Sequence, residues 1–247
     1  MPELRVMSTI AVAIMCKTPA AGLSKTRLSP PLQPEECAGL SACFIRDLSH
    51  TIKTLAAEGG VTGYAVYTPR GSEETLRTLL PGNFRLMPQA DGDFGIRLTQ
   101  GIADLLGAGH AGAILVNSDS PTLPVSILRE AVEALHKGNN VVLSRAIDGG
   151  YTLIGLSKLY SRLFEDIPWS TSDVYRLTLD RAREIGLPIV NVPAWYDVDD
   201  AKSLDILQAE LKGKPPLFNE RQIVGAHAPE TRRFLHERKN AMTGDAA

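Results

Sequence analysis

The chain has 247 residues, 44% hydrophobic and 22% charged, with a formal net charge of −2. This is the composition of a soluble globular protein, one large domain alone or with a short extension, and with no basic excess it argues against bulk nucleic-acid binding. Three cysteines without metal-ligand spacing and five scattered histidines argue against a disulfide framework and a zinc site, and fit a reducing cytosol.

The opening "MPELRVMSTIAVAIMC" holds an apolar run too short for a bilayer, which needs about 20 residues. No small-residue cleavage site follows it, so the expectation is a cytoplasmic protein with no membrane segment. Within the run, Thr9–Met15 is β-branched and apolar on both faces, the pattern of a strand inside a mostly parallel sheet. A helix is expected from Pro34-Glu35-Glu36 to about Ala57, because Pro and acids favour a first helical turn. Strands follow at Gly63–Pro69, Gly112–Asp119, Asn140–Ala146, Tyr151–Leu156 and Pro188–Pro193. Helical spacing with glycine stops marks Ile96–Gly109, Val125–Gly138 and Ser172–Gly186, and capping acids open Asp199–Leu211. Strands alternating with helices predict an α/β fold with a largely parallel sheet. "KGKPPLFNE" (Lys212–Glu220) breaks that pattern. We therefore divide the chain into a domain over 1–211 and a partly helical, mobile extension over 212–247, with "APETRRFLHERK" as its helix.

In such sheets the ligand crevice lies beyond the carboxyl ends of the strands. Three polar segments are expected to meet there. In "KTPAAGLSKTRLSP", Lys17, Lys25 and Arg27 flank Gly22. The glycine lets backbone amides approach an anion and the cations neutralise it, so phosphate is the natural guest. This is not a P-loop, since Pro19 and Ser24 stand where that motif needs glycine. "NSDSPTLP" puts Asp119 just past a strand. Two readings stand: a ligand for Mg²⁺ or Mn²⁺ shared with phosphate, or a cap for the helix that follows. In "DGGYTLIGL", Asp148 precedes Gly149-Gly150, which either make a hairpin turn or let substrate touch backbone. "IPWSTSDV" sets Trp169 beside Ser170 and Thr171, as packing and helix cap or as a substrate platform. In "WYDVDD", Asp197 and Asp199 point to one side if extended and offer further carboxylates for a divalent ion, or serve the helix that follows.

The ordered set "KTPAAGLSKTRLSP", "GDFGIRL", "NSDSPTLP", "DGGYTLIGL", "IPWSTSDV", "DVDD" resembles a bacterial family of GT-A-type nucleotide-diphospho-sugar transferase-like proteins. These are described as arsenosugar-biosynthesis or radical-SAM/selenodomain-associated glycosyltransferases. The resemblance runs from about Thr9 to Leu211. More distantly the chain is similar to 2-phospholactate guanylyltransferases and molybdenum-cofactor nucleotidyltransferases. The resemblance implies a three-layer α/β/α Rossmann-like GT-A fold with a mostly parallel mixed sheet. It implies a nucleotide held by Lys17, Gly22, Lys25, Arg27 and Arg97, with Mg²⁺ or Mn²⁺ on Asp119, Asp197 and Asp199. Asn117 stands where a full DxD has its first Asp. Acceptor contacts are implied for Gly149, Gly150, Trp169, Ser170 and Thr171, although Ser144-Arg145 replaces the family's usual Gly-Pro. Catalytic roles fall to Lys25 and Arg27 on the leaving phosphates and to Asp148 on the acceptor hydroxyl. The expected partners are a nucleotide or nucleotide-sugar donor and a small-molecule acceptor, without nucleic acid or membrane. The reaction implied is metal-dependent glycosyl transfer. Its alternatives are nucleotidyl transfer to a phosphorylated small molecule with release of pyrophosphate, and nucleotide binding without turnover.

Overall fold

The computed structural model describes residues 9–219 and 221–244. The first eight residues of the opening segment, Glu220 and the last residues of the polar tail lie outside the described residues. Among the described residues, seven strands form one sheet in the order β3-β2-β1-β4-β6-β5-β7. They are β1 (Ile10–Lys17), β2 (Val61–Thr68), β3 (Arg85–Pro88), β4 (Gly112–Asn117), β5 (Val141–Ala146), β6 (Tyr151–Leu156) and β7 (Ile189–Trp195). β6 runs antiparallel to both neighbours, and every other pairing is parallel. The mixed, mostly parallel α/β sheet is as the sequence predicts. β3 and the short helix α2 (Glu73–Arg77) went unread because neither is long enough to show a period.

β1 is buried along seven of its eight residues, as a strand covered on both faces must be. Its alternate side chains enter two cores. Val12 and Ile14 pack under α1 (Pro34–Ala57), α4 (Val125–Lys137) and α6 (Ala201–Leu211). Ala11, Ala13 and Met15 pack under α3 (Phe94–Gly107) and α5 (Val174–Glu184). These are the three layers of the expected α/β/α fold. α1 begins as Pro34 and its acids predict, with the Glu36 carboxylate accepting from the Gln33 amide at 2.8 Å. No helix among the described residues is long and apolar enough to cross a membrane.

The segment after Leu211 is not a free appendage. It crosses the first core, where Phe218 meets Trp195 and Tyr196 edge-on. It ends in α7 (Pro229–Gly244), laid against α1. There Asp47 of α1 accepts from the amides of Glu230 and Thr231 at 3.0 and 2.8 Å, capping α7. The break in pattern at Lys212 is a change of periodicity, not a gap in packing.

The carboxyl ends of β1, β4, β5 and β7 all leave the sheet along one edge. The turn joining β5 to β6 lies on the same edge. The polar segments therefore converge because of strand direction.

Candidate active site

Beyond β1 the chain folds into a turn in which the amides of Leu23 and Ser24 both donate to the Ala20 carbonyl at 3.1 Å. Gly22 sits at φ 70°, and a Cβ there would meet nothing within 4 Å. Its glycine answers a backbone need, not a packing one. Lys25 is also left-handed, at φ 50°, a conformation costly for a residue with a side chain. It turns the side chain inward. The ammonium lies 2.7 Å from Asp119 Oδ1 and 2.8 Å from Asp199 Oδ1, and donates to the Val198 carbonyl at 2.7 Å. All three of its donors are thus engaged. Burial pulls its pKa down, but the two carboxylates outweigh that and hold it above the ordinary lysine value. Arg27 reaches Asp199 Oδ2 at 2.7 Å with its side chain 73% exposed. Lys17 donates to the Leu23 carbonyl at 3.3 Å and is otherwise open. Lys17, Lys25, Arg27, Asp119 and Asp199 line one cleft of about 260 Å³ with Ser118 and Ser41. Ser41 lies on a helix face whose spacing gives no hint of it.

The structure regroups the expected ligands. Asp119 does not cap α4, whose N-cap position is Pro124. Its carbonyl accepts from the Val198 amide at 2.9 Å, tying the loop after β4 to the loop after β7. Its carboxylate goes to Lys25. Of the expected Asp119, Asp197 and Asp199, the last two lie with Asp148, the ligand oxygens of the three within 4.8 Å of one another, while Asp119 lies against Lys25. Asp197 is pushed up to about 7, first by burial, then by Asp148, Asp199 and Asp119. Such a crowd of hard, like-charged oxygens fits Mg²⁺ or Mn²⁺, which would relieve the repulsion that raises Asp197. Asp200 is the member of the run that caps α6, accepting from the Ser203 amide at 2.8 Å.

Gly149 serves as a turn and as a contact within the protein. It sits at φ 97°, and a Cβ would fall 2.1 Å from the Ser172 carbonyl oxygen. Its carbonyl accepts from Tyr175 at 2.9 Å, docking the β5–β6 turn onto the start of α5. Gly150 donates to Asp148 Oδ1 at 2.9 Å and so orients that carboxylate. Trp169 packs against Gly95 and lies edge-on to Phe94, with ring centroids 5.2 Å apart. Thr171 Oγ1 donates to the Pro168 carbonyl at 2.8 Å, and Ser170 is left-handed at φ 66°. Neither caps α5, whose N-cap position is Asp173. Arg97 is not brought into the phosphate cleft: it lies over Phe94 and donates to Gln89 Oε1 at 3.3 Å.

A solved structure from Desulfovibrio desulfuricans G20, described as a "putative nucleotide-diphospho-sugar transferase", superposes with a TM-score of 0.79. It shares 25% identity over 95% of this chain and 96% of its own. CMP:2-keto-3-deoxy-manno-octonic acid synthetase in complex with CTP is similar with a TM-score of 0.55, at 10% identity over 84% of this chain and all of its own. 4-Diphosphocytidyl-2C-methyl-D-erythritol synthase from Anaerococcus prevotii DSM 20548 follows, with a TM-score of 0.53 at 12% identity over 83% and 96%. The last two are likenesses of fold alone. No curated protein matches the sequence significantly. The chain thus has the nucleotide-diphospho-sugar transferase fold, and over residues 51–171 it matches the family described as "Uncharacterized protein conserved in bacteria (DUF2064)".

Proposed function

We propose that the chain is a nucleotide-utilising transferase that passes a sugar from a nucleotide-diphospho-sugar to a small acceptor hydroxyl. The observation that carries this is the convergence of the basic loop after β1 with carboxylates from the ends of β4, β5 and β7. A cationic turn beside a carboxylate cluster is what a nucleoside diphosphate and a divalent ion need together. Lys17, Arg27 and the amides around Gly22 receive the phosphates. Lys25 holds the loop on Asp119 and Asp199 and contributes its charge beside the leaving group. Asp148 keeps one carboxylate oxygen on the Gly150 amide and turns the other to the acceptor hydroxyl. As the bond from the sugar carbon to phosphate oxygen breaks, its electron pair goes to the diphosphate. The acceptor oxygen forms the new bond, and its proton passes to Asp148. Asp197 and Asp199 would hold Mg²⁺ or Mn²⁺, which supplies charge neutralisation at the diphosphate.

Nucleotidyl transfer is the second reading, and one observation favours it. Asn117 replaces a carboxylate, and its Oδ1 accepts from the Asp119 amide at 3.4 Å. In that reaction an acceptor phosphate oxygen attacks the α-phosphorus of a nucleoside triphosphate, and pyrophosphate leaves with the electron pair of the broken bond.

A thermal-shift series with UDP, UDP-glucose, CTP and GTP, with and without Mn²⁺, tests the shared claim. A ligand at 100 times its Kd adds about 2.7 kcal/mol. Stabilisation by at least one nucleotide with Mn²⁺ is expected, and a flat response throughout would refute it. Release of nucleoside diphosphate or of pyrophosphate separates the two reactions, and binding with neither leaves a non-catalytic nucleotide-binding protein.

A further inference from the structure

We propose that the cleft between the β5–β6 turn and the C-terminal segment is the acceptor subsite, and that it takes a small organic molecule bearing a phosphate or carboxylate on an apolar body. This rests on the transferase reading, since it assigns the acceptor of that reaction. The cleft has a volume of about 350 Å³ and is separate from the one lined by the basic loop. Ile147 lines it and immediately precedes Asp148, while Pro193 and Ala194 line it just before Asp197. Its walls are thus continuous along the chain with the loops that carry the carboxylate cluster.

Two arginines, Arg145 and Arg221, line this cleft. β5 slips its register at Ser144 and Arg145 against β6, and again against β7. Such a bulge re-aims a side chain. Ser144 holds the bulge from beneath, donating to the Pro193 carbonyl at 2.7 Å and meeting Thr152 Oγ1 at 2.9 Å. Arg145 stands exposed above it, over the Tyr175 ring at 5.8 Å, and takes no carboxylate partner among the described residues. Arg221 comes from the other wall. Its loop is closed by Asn219, whose side chain bonds both the amide and the carbonyl of Ile223. Arg221 reaches Glu130 only at 3.3 Å, with both side chains largely exposed, so that pair is weakly held. Between the two arginines lies an apolar floor. Phe218 is fixed edge-on against Trp195 and Tyr196, and Ile147 is 48% exposed. Paired guanidinium forks recognise the oxygens of a phosphate or carboxylate, and the floor accepts the hydrocarbon part. The C-terminal segment thereby becomes one wall of the reaction site.

Calorimetry on the full chain tests this with phenyl phosphate and benzoate as anionic probes and benzyl alcohol as the uncharged control. Wild type should bind at least one anion and not the alcohol, and the two anions rank phosphate against carboxylate. Arg145→Ala and Arg221→Ala should each weaken that binding about tenfold or more, while Lys137→Ala, an exposed cation at the last turn of α4 and outside both clefts, leaves it unchanged. Absence of anion binding by wild type, wild-type affinity in either of the first two variants, or loss of binding in Lys137→Ala would each overturn the proposal. UDP, CTP and GTP with Mn²⁺ are titrated into the same proteins. Failure of all three to bind refutes the nucleotide reading without touching the anion result, and failure of the anions leaves the nucleotide reading intact.

Discussion

Lys25 and Arg27 are two residues apart and do different work. Removing Lys25 strips a buried ammonium from Asp119, Asp199 and the Val198 carbonyl together. The carboxylates are 30% exposed, so water recovers part of the loss. Lys25→Ala should still cost about 1–3 kcal/mol of stability and should also weaken nucleotide binding. Arg27 is largely exposed, so Arg27→Ala should change stability by about 0.5 kcal/mol or less while weakening nucleotide binding about tenfold or more. Denaturant unfolding and calorimetry on the two variants check both halves; equal stability in both would show that the Lys25 ion pairs are inconsequential. The sequence marks both residues as phosphate ligands, because residue type and loop position are all it displays. That Lys25 spans two carboxylates 94 and 174 positions away is a product of strand order. His110 gives a test away from the site. Its ring meets Thr9 Oγ1 at 2.6 Å and the Tyr64 hydroxyl at 2.9 Å, and burial, helped by Arg85, holds its pKa below the usual value. The folded state therefore takes up a proton less readily than the unfolded one. Its contribution is present above pH about 6.5 and is lost as pH falls from there towards the folded value. Melting temperatures from pH 7.5 down to 5 should fall more steeply for wild type than for His110→Gln, and parallel curves would contradict this.

Among the elements, the β5–β6 hairpin is where local sequence and tertiary contact divide most clearly. "DGG" announces a turn by its glycines alone, and the turn is there. What it does not announce is the Ser172 carbonyl pressed against Gly149, which depends on how α5 docks. Gly22 and Gly149 look alike in sequence and are both left-handed, yet one faces open space and the other faces backbone. Gly22→Ala should cost about 1–2 kcal/mol, the strain of a left-handed residue. Gly149→Ala adds a backbone collision and should cost more than Gly22→Ala, about 2–4 kcal/mol in all. Unfolding of the two variants compares them directly; equal losses would mean that the hairpin shifts freely away from α5. The longer elements were readable to within a few residues because each repeats its period several times. Trp169 shows the limit of type-based reading, since a Trp in a polar loop offers the same sequence signal whether it packs on α3 or carries a substrate.

At the scale of the whole molecule, the alternation of strands with helices is written in the apolar runs, but the place of the segment after Leu211 is not. Their composition is that of a solvated helix after a Pro-Gly break, and the residues that receive them lie far back in the chain. Gly39 leaves room for Phe234, Asp47 waits for the first turn of α7, and Glu36 pairs with Arg238 at 2.8 Å. In α1 these read only as a helix face with one buried acid. Phe218 covers Trp195 and Tyr196, both almost fully buried, and the Ala226 amide donates to the Thr122 carbonyl at 2.9 Å. A chain ending at Leu211 would expose those aromatic rings, the α7-facing side of α1 and the Asp47 carboxylate. Each large side chain returned to water forfeits about 1.5–3 kcal/mol, so losing several approaches the whole stability of a domain, about 5–15 kcal/mol. The truncated chain should therefore melt far below the full-length protein or without a cooperative transition. Asp47→Ala, which removes only the cap, should lose about 0.5–2 kcal/mol and remain cooperative. Thermal unfolding followed by circular dichroism distinguishes the three proteins. A truncated chain that melts cooperatively within a few degrees of full length would show that α7 rests on a core complete without it.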